Sequence, residues 1–151
     1  MTEIDRIIDQ LDRALKGPAW SGPSMLEVLE GVDSKIAARK PLENVHTIWE
    51  IVLHIIKWEE VAIERLKGRD IRPTPEEDWK KPEDLSEKTW QDVIERLKQV
   101  HNELSTEISN LHAEKLDEPQ LPGFLSKYIL LHGVIQHNLY HIGQVAIIKK
   151  A

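Results

Sequence analysis

Proline placement constrains this chain more than any other feature. Proline breaks helix interiors, so the eight prolines, at 18, 23, 41, 73, 75, 82, 119 and 122, leave long proline-free windows at 1–17, 42–72, 83–118 and 123–151. Each window carries helical periodicity. Ile4, Ile7, Ile8, Leu11 and Leu15 form a stripe at 3.6-residue spacing, stopped by Gly17-Pro18. A second helix is expected from about Thr47 to Leu66, ending at Gly68, with Ile48, Ile51, Val52, Ile55, Trp58 and Val61 on its apolar face. A third has Ser86 as N-cap and runs through Trp90, Leu97 and Leu104 to Leu111. The fourth is expected near Gly123 and continues to the end, apolar nearly all round.

The connections read differently. Residues 18–41 form a long excursion with short helices expected at Met25–Glu30 and Asp33–Arg39. Thr74-Pro75-Glu76-Glu77 holds an N-cap, a proline at the first helical position and a glutamate three after the cap, which predicts one helical turn. Residues 113–122 read as a polar loop, and no run alternates with period two. The expected fold is all-α: one domain over 1–151, a four-helix bundle with a long crossover connection and short extra helices.

Composition excludes several functions. There is no cysteine, hence no disulfide scaffold, cysteine-ligated zinc finger, iron–sulfur site or thiol nucleophile. A formal net charge of -6 argues against a nucleic-acid surface. Residues 128–148 lack any Asp, Glu, Lys or Arg, a length that could span a bilayer. They nevertheless carry His132, Gln136, His137, Asn138, His141 and Gln144, which would be expensive in lipid. A helix buried in protein, with partners for those groups, is the better reading. The start is acidic and amphipathic rather than a basic segment followed by an apolar one. The expectation is a cytoplasmic protein without membrane partners.

Chemistry is sought among the seven histidines. His137 and His141 are four apart and share one face of the fourth helix, within its apolar stripe. His54 lies between Ile51 and Trp58 on the second. Three neighbouring buried imidazoles cannot all be charged, because desolvation and mutual repulsion lower their proton affinity. A divalent ion resolves the conflict by taking one lone pair from each neutral ring, while other groups hold the remaining ring N–H. Three nitrogens leave one coordination position open, as catalytic sites do, and all-nitrogen ligation suits zinc, nickel, copper or iron. The plain alternative is three core histidines bonded to carbonyls or carboxylates, and spacing alone leaves the two readings level. His132 falls off the shared face, His46 precedes its helix, His101 is a reserve ligand on the edge of the third stripe, and His112 suits a helix C-terminus.

Thr47-Ile48-Trp49-Glu50-Ile51-Val52-Leu53-His54-Ile55 resembles the first motif of the DinB/YfiT-like family of metal-dependent enzymes. His137-Asn138-Leu139-Tyr140-His141-Ile142-Gly143-Gln144-Val145 resembles that family's closing H-x-x-x-H-x-G-Q motif, and Leu66-Lys67-Gly68 its usual end of the second helix. The resemblance covers most of the chain. It implies a four-helix bundle with a long crossover and a divalent metal, commonly zinc or nickel. The ion would be held by His54, His137 and His141, with water completing the site, and dimers are common. Activities of relatives include transfer to low-molecular-weight thiols, related isomerisation, and hydrolysis.

The leading expectation is therefore an enzyme whose metal activates a low-molecular-weight thiol from solution (S-transferase type) or water (hydrolase type) against a small-molecule substrate. Glu50, one turn before His54, is a candidate proton acceptor or partner to a ligand, set against an ordinary exposed helix glutamate. Gln144 is a candidate to orient a water, and Tyr140 reads as packing. Trp58, Trp20 and Trp79 could wall a pocket over the metal. The alternatives are a non-catalytic metal- or ligand-binding dimeric bundle with a stress-related role, and a plain helical interaction protein.

Overall fold

Small polar side chains set where each helix begins. Thr2, Ser24, Asp33, Thr47, Thr74, Ser86 and Ser126 each accept a hydrogen bond from the backbone N–H three residues on, satisfying a donor the helix leaves free. The computed structural model describes residues 1–151. Its helices are α1 (Glu3–Lys16), α2 (Met25–Leu29), α3 (Ser34–Ala38), α4 (Ile48–Leu66), α5 (Pro75–Asp78), α6 (Glu87–Ser109) and α7 (Lys127–Lys150). There are no strands, only isolated bridges at Ala19–Gly22 and Pro119–Ser126, so the chain is an all-helical bundle.

Most boundaries fall within two residues of the sequence reading, α6 ending at Ser109 rather than Leu111; one differs by more. The last helix begins at Lys127 rather than near Gly123. Gly123 adopts φ 82°, a left-handed conformation glycine tolerates. The chain turns there, with Phe124 N–H donating to Leu121 C=O, before Ser126 caps the helix. The preceding loop contains a 3-10 turn at Ala113–Lys115. It is pinned by buried Leu116, whose carbonyl accepts from Tyr128 N–H at 2.8 Å.

The main helix contacts pair α4 with α6 and α7, and α1 with α6 and α7. The long helices therefore run around the bundle as α1, α6, α4, α7, with α1 diagonal to α4. The crossover carrying α2 and α3 spans that diagonal and is tied down at several points. Trp90 Nε1–H donates to Val32 C=O at 2.8 Å, Ser34 N–H to Glu87 at 2.7 Å, and Lys149 Nζ to the carbonyls of Val28 and Glu30 at 3.0 and 2.8 Å. Trp49 and Trp90 are the largest fully buried side chains, and their rings meet at 5.2 Å. Trp49 thereby sends one face of α4 into the core and leaves the His54 side towards α5 and α7. No helix is long and apolar enough to cross a membrane.

Candidate metal centre

His54 comes from the middle of α4, and His137 and His141 from successive turns of α7. Because α4 packs on α7, the three imidazoles meet. Each offers a ring nitrogen within 4.8 Å of the others', and the Nε2 atoms of His54 and His137 are 2.9 Å apart. His54 and His141 are each only 5% exposed, and His137 is half-buried. No carboxylate joins the cluster.

The far nitrogens determine what the near ones can do. His54 Nδ1 lies 2.9 Å from the carbonyl oxygen of Asp78 and 3.0 Å from its carboxylate. Both are acceptors, so this nitrogen carries the proton and Nε2 keeps its lone pair. His141 Nδ1 lies 2.6 Å from Gln144 Oε1 and by the same logic donates, freeing its Nε2. His137 Nδ1 is buried without a partner. Burial, reinforced by the charges of His141 and His54, pushes His137 down to about 4. Burial also lowers His141, with Gln144 opposing and His54 and His46 adding to the fall. Two lone pairs fixed inward by anchored tautomers, beside a third ring that rejects a proton, make a donor set that fits a divalent cation.

Aromatic rings enclose the cluster. Trp58 lies edge-on to His54 and His137 at 6.4 and 6.1 Å, and its Nε1–H donates to Asp78 at 2.6 Å. Trp79 stacks flat on His54 at 3.8 Å, and His46 stacks on Trp79's other face at 3.6 Å, both within 3° of parallel. Trp58 and Trp79 thus wall the site as the sequence suggested. Trp20 does not: it is fully exposed, carried out from the bundle by the Ala19–Gly22 turn. Tyr140 is largely exposed, its ring 5.1 Å from that of His141.

Glu50 is not an ordinary exposed glutamate. It is 7% exposed and closes the capping box of α4, its carboxylate accepting from Thr47 N–H at 2.8 Å. Lys81 and His46 approach it at 3.5 and 3.7 Å. Burial alone would raise its pKa, but the Thr47 N–H and Lys81 hold it below the usual value. Gln144 occupies the far nitrogen of His141. His101 sits elsewhere in the core, 2.6 Å from Asp12. His112 is exposed beside Glu114, and His132 packs on Tyr128 at 4.3 Å.

Asp78 and the stacking of Trp79 and His46 are missing from the sequence reading. The Thr74 cap fixes a turn ending at Asp78, but no periodicity tells which helix that turn docks against. The model of the DinB superfamily matches residues 20–145 of this chain. No curated protein and no solved structure matches it significantly.

Proposed function

We propose that the chain, which belongs to the DinB superfamily, is a divalent-metal-dependent enzyme whose ion, zinc or nickel, is held by His54, His137 and His141. One observation carries the reading: the outer nitrogens of His54 and His141 are bonded to Asp78 and Gln144, so their inner lone pairs converge on His137 inside a half-closed aromatic shell. When bound, the ion supplies a Lewis acid that lowers the pKa of a low-molecular-weight thiol or of water, giving S-transferase or hydrolase chemistry on a small molecule.

The chain's own residues do the rest. Asp78 keeps the His54 proton on Nδ1 and, through Trp58 Nε1, fixes the wall beside it. Trp58 and Trp79 exclude water from one side, which strengthens electrostatic interactions within the site. Glu50 is committed to Thr47, so its contribution is to hold negative charge beside His46 at the rim. Trp79's flat cover over His54 is what favours the second reading, a non-catalytic metal binder. The uncharged outer stripe of α7, Ile129, Gly133, Gln136, Tyr140, Gly143 and Ile147 at alternating steps of four and three, is where a homodimer would form.

Metal analysis of untagged protein tests the site. One equivalent of divalent ion is expected in the native protein and none in the His54→Ala variant; equal content in both removes the reading. Turnover of electrophiles with thiols, and of esters and amides with water, separates enzyme from binder. Equal rates for native protein and His141→Ala would exclude catalysis at this site.

A further inference from the structure

The bundle core holds one carboxyl group that the metal reading leaves unused. Glu59, on α4, is 1% exposed. Its Oε1 accepts from Asn138 Nδ2 at 2.8 Å, while Glu59 Oε2 and Asn138 Oδ1 are both buried without a partner. The surrounding side chains are Ala14 and Leu15 of α1, Met25 of α2, Ile55 of α4, Leu97 of α6 and Ile142 of α7. None of them titrates or carries a charge. The void between them is about 10 Å³, at the lower limit for one water.

An ionised carboxylate here would be a buried charge with a single neutral hydrogen bond, an arrangement proteins avoid. Both orphaned atoms are acceptors, and exchanging the ends of the Asn138 amide would set its oxygen 2.8 Å from Glu59 Oε1, acceptor against acceptor. A single added proton satisfies both. A neutral Glu59 keeps the observed bond from Asn138 Nδ2 to Oε1, and the unpartnered Oδ1 of the same amide is the acceptor its Oε2–H would need to close a two-bond ring. Burial pushes the carboxyl up to about 7, against the opposing Asn138 hydrogen bond, in agreement with the geometry. Asn138 also lies between His137 and His141 on α7, so whatever fixes it fixes how that helix presents them.

We propose that Glu59 is a positioning residue: as the neutral acid it forms a two-bond ring with Asn138 that locks α7 to α4 and fixes the approach of His137 and His141 to His54. The ring stands on the core geometry alone; the last clause rests on the metal reading. The proton is taken from solvent on folding and returned when the pH rises.

Infrared difference spectroscopy of the metal-free protein tests the ring directly. The carbonyl stretch of a neutral, buried carboxylic acid is expected at about pH 6. It should shift in D2O, fade as the pH passes about 7, and be absent in Glu59→Gln. No such band, as an ionised carboxylate bridged by water would give, overturns the proposal. So does a Glu59→Gln protein less stable than native at about pH 6, since glutamine reproduces both bonds without a titrating proton. Titration with zinc tests the positioning. Glu59→Gln should match native affinity at about pH 6 and exceed it several-fold above about pH 8, while Glu59→Leu should lose about tenfold throughout, as removal of groups supporting metal ligands does. Native affinity in Glu59→Leu would refute positioning. A native protein that binds no zinc but shows the acid band would defeat the metal reading and leave the ring standing.

Discussion

His137 offers the sharpest test of what the imidazole cluster does without an ion. Its fall from 6.5 to about 4 means that the unfolded chain takes up a proton, between those values, that the folded chain refuses. Stability from this group is therefore fully present above pH 6.5 and drains away as the pH falls through about 4. The full shift is worth roughly 3 kcal/mol at about 1.36 kcal/mol per tenfold change in proton affinity; because the ring is only half-buried, solvent screening brings the expectation to about 2 kcal/mol. His137→Gln removes the titrating group. Urea denaturation of chelator-treated protein at several pH values should show native protein losing about 2 kcal/mol more than the variant between pH 7 and 4. Glu59 acts with the opposite sign, its raised pKa lowering stability as the pH climbs from 4.5 to about 7, but it is present in both proteins and cancels from the difference. Zinc at about a hundred times its dissociation constant should then stabilise the native protein by roughly 2.7 kcal/mol and the variant far less. Parallel pH profiles in the two proteins would refute the claim that burial and the neighbouring rings suppress protonation of His137.

Four further outcomes are expected. Asp78→Ala removes the carboxylate beside His54 Nδ1 and the acceptor of Trp58 Nε1–H while keeping the backbone carbonyl bond, and should weaken zinc binding by up to about tenfold in calorimetric titration. Thr47→Ala breaks the capping box of α4 and should cost about 1 kcal/mol in denaturant unfolding, with Thr47→Ser recovering most of it. Trp90→Phe leaves a cavity and strands the carbonyl of Val32, for a loss of about 2–4 kcal/mol in the same assay. Tyr140→Glu places a charge in the outer stripe of α7 and should halve the mass seen by sedimentation; a native protein already monomeric removes the homodimer.

The helices were legible because their starts are written in three or four residues. Thr47 through Glu50 and Thr74 through Glu77 are capping boxes in sequence and in structure alike, and apolar stripes assign the inner faces. The start of α7 was misplaced because Gly123 marks a turn while the actual cap, Ser126, lies three residues on. Periodicity also placed His54, His137 and His141 on inward faces, and helix packing brought them together. What supports them was hidden. Asp78 and Trp79 reach the site through a loop docking on α4, and His46, just outside its helix, reaches it only by stacking on Trp79. Such contacts depend on how a connection folds back, which no local pattern records. Glu50 shows the converse, since its role as a cap was present in the spacing of Thr47 and Glu50 and was outweighed by its nearness to His54.

The His46–Trp79–His54 stack has a use beyond enclosure. An indole held parallel between two imidazoles is an optical probe built into the site, because its emission responds to the charge and electron demand of the rings against its faces. Filling the centre changes the electron demand of His54 on one face, while His46 holds the other face of the indole in place. Trp79, with Trp58 edge-on to His54 and His137, therefore reports on filling of the centre without an added label, while Trp49 and Trp90 are sealed in the core away from it.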